Sequence, residues 1–287
     1  ISYFDATLSF NSPIGIEIRG GSSQEFPKKT YDFEVRQNLI DDSTKKVSFG
    51  NLRNDDDWIL DAVYNEPLRI RSQFSHQLWT EVHIPYYIAD KQSAKSGVRT
   101  NSVEVFLQNK YIGTYNLSEK VDRKLLKLSK FDSDLSGELY KPFLWGAPTF
   151  WQAIPFDNSE RIWDGYEYKY PKVADFTDWS NLFNFTHFVI NAEDDQFAQN
   201  IWSRLNEQNA IDYYLFFNLL KAIDNTARNT YFAKYDENEP YFYIPWDLDA
   251  CFGNTWEGYR DSSSYGEIHN RCYTRLKEIN QIDFHQS

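Results

Sequence analysis

Asp224, Asn229, Asp247 and Asp249 fall within one short stretch of the chain, and together they could do chemistry. Carboxylate and amide oxygens are the ligands that hard divalent cations prefer. A carboxylate beside a hydroxyl can orient it and accept its proton. A positioned base next to a cation site, with room for a phosphate chain, is the equipment of phosphoryl transfer.

These side chains lie far apart along an extended chain, so secondary structure must gather them. Upstream, Tyr214, Leu215, Phe217, Leu219 and Leu220 are dense enough to predict a helix that buries most of its circumference and ends at Asp224-Asn225. Downstream, Thr230 to Tyr235 and Tyr241 to Ile244 read as aromatic-rich strands around the turn-forming run Asp236 to Pro240. A tight hairpin returns the chain beside its own start and would bring Asp224, Asn229 and Asp247 to one end. The spacing matches that of protein kinases, where a catalytic Asp is followed five residues later by Asn, then by a hairpin ending in a metal-binding Asp. Asp and Asn also cap helices and fill turns, so the pair alone says little. The ordered set of helix, hairpin and second acidic cluster gives it weight.

The chain of 287 residues is long enough for one large domain or two lobes. Its formal net charge of −12 argues against a nucleic-acid backbone as the main partner, because phosphate binding needs a basic face. No apolar run reaches the length of a membrane span, and the residues from Ile1 onward show no signal-peptide pattern. Aromatic side chains make up 18% while Met is absent, so rings must supply much of the core volume. Cys251 and Cys272 could pair or stay free. His76, His83, His187, His269 and His285 have no metal-ligand spacing, and neither G-x-S-x-G nor C-x-x-C occurs.

Near the start, Ile14, Ile16 and Ile18 alternate as in a half-buried strand, and Tyr31, Phe33 and Val35 share one face of a second. Lys29 has the parity of that second face and Lys28 does not, so Lys29 is expected to point inward, where it needs an anion. Between the strands, the backbone N–H groups of Gly20-Gly21-Ser22-Ser23 could cradle phosphates, although Gly-Gly is first of all a turn former. Asn65 is a plausible cap for a helix over Leu68 to Val82, with Ile70, Phe74, Leu78 and Val82 as its apolar stripe. Arg71 or Glu81 on that helix could position Lys29. Val103 to Leu107 and Tyr111 to Leu117 form the clearest hairpin, running into Glu119-Lys120-Val121-Asp122, where the two halves divide. Residues 137 to 176, rich in Pro and aromatics, read as irregular, with one strand-like patch at Tyr166 to Tyr170; helices follow over Asp178 to Asn191 and Ala192 to Leu205.

The ordered set Ile18-Arg19-Gly20-Gly21-Ser22-Ser23, Phe26-Pro27-Lys28-Lys29-Thr30-Tyr31, Asp57-Trp58-Ile59-Leu60, Glu119-Lys120-Val121-Asp122 and Pro245-Trp246-Asp247-Leu248-Asp249 with Phe252-Gly253 resembles the CotH family of atypical, spore-coat protein kinases. The resemblance runs over roughly residues 14 to 254. It implies an α+β, two-lobed, protein-kinase-like fold. Residues 1–120 would form a strand-rich N-lobe with one main helix, and residues 121–287 a larger, mainly helical C-lobe. It also implies ATP and Mg²⁺ or Mn²⁺ as cofactors, a protein substrate with a Ser/Thr acceptor, and an exported bacterial protein. In these terms Asp224 is the base, Lys29 meets the nucleotide phosphates with Arg19, Ser22, Ser23 and Glu119 beside it, and Asn229 and Asp247 hold the metal with Asp249 as a second candidate. Ala222-Ile223 stand where ordinary kinases carry His-Arg, and no G-x-G-x-x-G loop is present.

Two other readings compete. A non-catalytic cell-surface or structural adhesin would use the same fold, and the aromatic excess suits it. A glycoside hydrolase ranks third, because Asp247 and Asp249 are two residues apart, an awkward start for carboxylates that must flank one bond.

Overall fold

The computed structural model describes residues 1–132, 136–144, 152–172, 176–225, 228–260 and 270–279. The chain divides into two compact units: Ile1–Leu78 with Val98–Lys120, and Trp79–Gly97 with Val121–Ser287.

The first unit opens on a small hairpin of β1 (Ser2–Phe4) and β2 (Ser9–Asn11). Its main sheet comprises β3 (Ile14–Arg19), β4 (Thr30–Val35), β5 (Asp57–Asp61), β6 (Thr100–Leu107) and β7 (Lys110–Ser118), in the order β3-β4-β5-β7-β6 with every pairing antiparallel. Phe33, Val35, Val47, Phe49, Leu52, Trp58 and Leu117 form its core, and the ring of Phe49 meets Trp58 edge-on. The alternation of β3 misleads. Ile14 packs on this core, but Ile16 and Ile18 are 55% and 49% exposed, because β3 is an edge strand. At the end of β3, Gly20 has φ +115, and a Cβ there would lie 2.0 Å from Ser23 Oγ. Only glycine fits that turn.

Helix α1 (Arg71–Val82) begins later than the apolar spacing predicts. The Glu66 carboxylate accepts the backbone N–H groups of Leu68 and Arg71 and so caps it from outside. The buried face also differs from the expected one. Ser72, Ser75, His76 and Trp79 are buried, whereas Ile70, Phe74 and Val82 are 56%, 52% and 53% exposed. One indole outweighs the aliphatic stripe: Trp79 is fully buried, donates its ring N–H to Ser96 O at 2.9 Å and stacks on His83.

The second unit is not the mainly helical lobe that the family resemblance implies. Among the described residues strand (27%) and helix (26%) are nearly equal over the whole chain, and this unit has a five-stranded antiparallel sheet of its own. Its strands are β8 (Glu138–Pro142), β9 (Ile162–Trp163), β10 (Tyr166–Tyr170), β11 (Thr230–Lys234) and β12 (Tyr241–Pro245), ordered β12-β11-β8-β10-β9. The tyrosines explain the difference. Tyr140, Tyr166 and Tyr168 are buried rings at alternating strand positions, with Tyr140 and Tyr168 packed on Trp179, so a stretch that looks irregular by its prolines has the period of a buried strand. Parts of that stretch, 145–151 and 173–175, lie outside the described residues.

Around this sheet lie α2 (Arg123–Leu126), α3 (Ser180–Asn191), α4 (Asp194–Asn200), α5 (Glu207–Leu220) and α6 (Arg271–Glu278). Helix α5 starts at Asn206, whose side chain accepts from Asn209 N, and stops where Lys221 turns left-handed at φ +49. Its face of Ala210, Tyr213, Phe216, Phe217 and Leu220 is buried. Cys251 and Cys272 are buried and are not joined in a disulfide. Among the described residues no helix is long and apolar enough to cross a membrane.

Candidate active site in the second unit

Three connections fasten α5 to the β11–β12 hairpin. Asn209 accepts the Tyr243 N–H at 2.7 Å and donates to Tyr243 O at 3.0 Å, so its amide pairs with β12 as another strand would. Tyr213 donates its hydroxyl to Thr230 Oγ1 at 2.6 Å, and that hydroxyl in turn donates to Ile244 O. These bonds hold the first two turns of α5 against the hairpin, and at its last turn Phe252 N donates to Leu220 O at 2.6 Å.

At that end the chain leaves α5, makes a 3-10 turn over Ile223–Asn225, and enters β11 at Thr230. Asn229 Nδ2 donates to Asp224 Oδ2 at 2.6 Å. Across the hairpin Thr230 faces Pro245, and Trp246 N donates to Asn229 O at 3.0 Å, which sets Asp247 just beyond the last pair. Asn229 and Asp247 are both left-handed, at φ +52 and +56, a conformation that Asn and Asp tolerate better than other L residues. The structure thus brings Asp224, Asn229 and Asp247 together.

Burial pushes the Asp224 carboxyl from an ordinary 3.8 up to about 7, and the charge of Asp247 adds to the rise; Arg228 and the Asn229 hydrogen bond pull the other way. A carboxylate that titrates near neutrality is suited to take a proton from a hydroxyl and release it again. Asp249 is half-buried further along, with its backbone carbonyl accepting from Asn254 Nδ2 at 3.2 Å. It is Asp247 whose charge bears on Asp224.

A family model described as CotH kinase protein matches residues 16–282, nearly the whole chain. The chain belongs to the CotH kinase family. Membership marks it as a kinase-like protein. No curated protein matches it.

A CotH kinase-like protein would need a nucleotide and a divalent cation, and the donor set fits the cation. Among the described residues no three His, Cys, Asp or Glu side chains form a metal cluster. A cation here would rest on the Asp247 carboxylate and the Asn229 amide, beside the Asp224 base. That is an all-oxygen set of the size Mg²⁺ or Mn²⁺ takes from protein when phosphates supply the rest.

The other site residues that the resemblance implies, Arg19, Ser22, Ser23, Lys29 and Glu119, lie in the first unit. Ser22 and Ser23 open a 3-10 turn over Ser22–Glu25, and Arg19 ends β3. Lys29 is not the inward lysine. Its ammonium donates to Gln24 O at 2.6 Å on the surface, because β4 begins only at Thr30 and the strand parity does not reach back to it. The inward lysine is Lys28. Its ammonium donates to Ala62 O at 2.8 Å and to Thr114 O, and lies 3.9 Å from the Tyr115 ring centroid. Burial and the nearby Arg69 charge lower it to about 8, with Asp61 opposing. Gly113, at φ +114 inside β7, makes the space: a Cβ there would come 3.3 Å from Lys28 Cε. A glycine in a strand marks such a close approach. Lys28→Ala should lower stability by about 2 kcal/mol, read as a fall in the urea midpoint, since it strands two carbonyls and removes a ring contact. An unchanged midpoint would show that the ammonium is not held there.

Glu119 is fully buried and committed to its own unit. Its carboxylate accepts from Arg53 N at 2.7 Å, Arg99 N at 2.9 Å and Arg99 Nη2 at 2.6 Å. Arg71, the other residue considered for positioning Lys29, pairs with buried Glu66 at 3.1 Å. Sequence reasoning also passed over Arg228, which acts on Asp224, and Asn225, whose amide reaches three backbone carbonyls. Their only signal is their position between the Asp and the Asn.

Proposed function

We propose that this chain is an ATP-dependent protein kinase that transfers phosphate to Ser/Thr hydroxyls of a protein substrate. The observation that carries the reading is the cluster of Asp224, Asn229 and Asp247 at one end of a hairpin, with Asp224 titrating near neutrality. Asp224 accepts the proton of the attacking hydroxyl, and Asn229 keeps that carboxylate turned toward the site. Asn229 and Asp247 would hold Mg²⁺ or Mn²⁺, with Asp249 as a further ligand, and the cation would supply charge neutralisation at the nucleotide phosphates. Lys29, Arg19, Ser22 and Ser23 are the residues we assign to phosphate contact. Glu119 leaves that set, because its carboxylate already has partners on both oxygens.

The test is a thermal-shift titration with ATP, with and without Mg²⁺ or Mn²⁺, on the wild type and Asp247→Ala. A rise in the melting midpoint of several degrees that needs both metal and ATP, and vanishes in the variant, is the expected result. No shift under any condition would favour a non-catalytic module on the same fold.

A further inference from the structure

The three groups assigned to the chemistry stand on two arms of chain, one carrying Asp224 and Asn229 and the other the segment after β12. We infer that Asn225 is the positioning residue that locks these arms together, an inference that rests on the phosphoryl-transfer reading of the site.

Asn225 is 1% exposed, and its Nδ2 lies 2.9 Å from Asn229 O, 2.6 Å from Trp246 O and 3.3 Å from Asp247 O. Three carbonyl oxygens around one atom fix which end of the amide faces them, since the opposite orientation would set oxygen against oxygen. The location matters as much as the number. The β11–β12 ladder ends where Trp246 N donates to Asn229 O, and beyond it the carbonyls of Trp246 and Asp247 have left the sheet. Asn225 takes up that frayed end from the side. The residues it clasps include both left-handed ones, Asn229 and Asp247. Such a backbone persists only where its surroundings over-determine it, and here the Asn225 amide supplies that constraint. Among the described residues the Asn225 Oδ1 has no hydrogen-bond partner. Asp brings no N–H group, Ser brings a single shorter donor, and Ala brings none.

The role is separable from general stability by two measurements on the full chain. The first is amide hydrogen exchange without metal or nucleotide. Asn225→Ala should lower protection of the Trp246 N–H at least tenfold while Tyr243 N–H, one strand turn away, keeps its own. Global destabilisation would speed both. The second is the Mn²⁺ dissociation constant, by electron paramagnetic resonance with ATP present and well below each variant's melting point. Asn225→Ala should weaken Mn²⁺ binding at least tenfold, and Asn225→Ser, which keeps one donor, by a few-fold. Asn225→Ser also stands in if the alanine variant does not fold. Wild-type Mn²⁺ affinity in a folded variant, with Asp247→Ala still defective, overturns the positioning role and leaves the functional reading intact. Wild-type protein that binds no Mn²⁺ with ATP overturns that reading and the inference with it.

Discussion

Asp224→Asn is expected to abolish phosphoryl transfer while making the metal-free protein more stable above neutral pH. Asparagine keeps the shape of the side chain and an oxygen to accept the Asn229 hydrogen bond, but it cannot take a proton. Loss of a general base costs ~10²–10⁴-fold in rate. The stability effect follows from linkage. In the unfolded chain Asp224 ionises near its ordinary 3.8, and in the folded protein at about 7. Between those values the folded state holds a proton that the unfolded state has lost, so stability contributed by this group is present at low pH and falls as pH rises from about 4 to about 7. Above pH 7 the folded protein carries an ionised carboxylate in a partly desolvated site beside Asp247. The neutral amide avoids that, with a gain of ~2–4 kcal/mol from a rise of about three pH units. Calorimetric melting of both proteins at pH 5 and pH 8 checks it. The variant should melt several degrees higher at pH 8, with the gap narrowed at pH 5. Parallel pH dependence of the two proteins would show that Asp224 is not perturbed in the fold.

Glu119→Ala should be among the most destabilising single changes in the first unit. The carboxylate accepts two backbone N–H groups and an Arg99 guanidinium with no exposure to solvent. Its removal leaves those donors unpaired, at a cost of ~3–5 kcal/mol. A fall of that size in the unfolding free energy from urea titration is the expected outcome. The opposite pattern, native stability with weakened ATP binding, would return Glu119 to the nucleotide.

How far the sequence foretold this differs from element to element. The α5 helix and the β11–β12 hairpin are legible because local rules govern both: dense apolar spacing, and a turn-forming run between two aromatic strands. The helix nonetheless stops at Leu220 rather than at Asp224, and Leu215 and Leu219 of the expected apolar set are exposed. The cluster of Asp224, Asn229 and Asp247 inherits that legibility. What escapes is decided by distant chain. Whether the Ile70, Phe74 and Val82 stripe or the face of Ser72, Ser75 and Trp79 is buried depends on the partner that Trp79 finds at Ser96. Lys29 and Lys28 are separated by one residue of strand start, and a one-residue shift exchanges faces. The second sheet is hidden for a related reason. β8 and β11 meet through Tyr140 and Phe232, about ninety residues apart, and no short window contains both. The tyrosine alternation of β10 is visible, but its burial against Trp179 is not.

The β11–β12 hairpin has a consequence for assembly. Asp224, Asn225, Asn229, Trp246 and Asp247 all lie within about two dozen residues, so the entropy lost in closing that loop is small and grows only slowly with its length. Hairpins of this size form in ~1–10 μs. The pairing of β11 with β8 must instead close a loop several times longer, and long-range strand pairing of that kind is slow. The groups assigned to the chemistry therefore sit on the part of the second unit whose contacts are cheapest in chain entropy, and the slow search falls to the sheet that backs them.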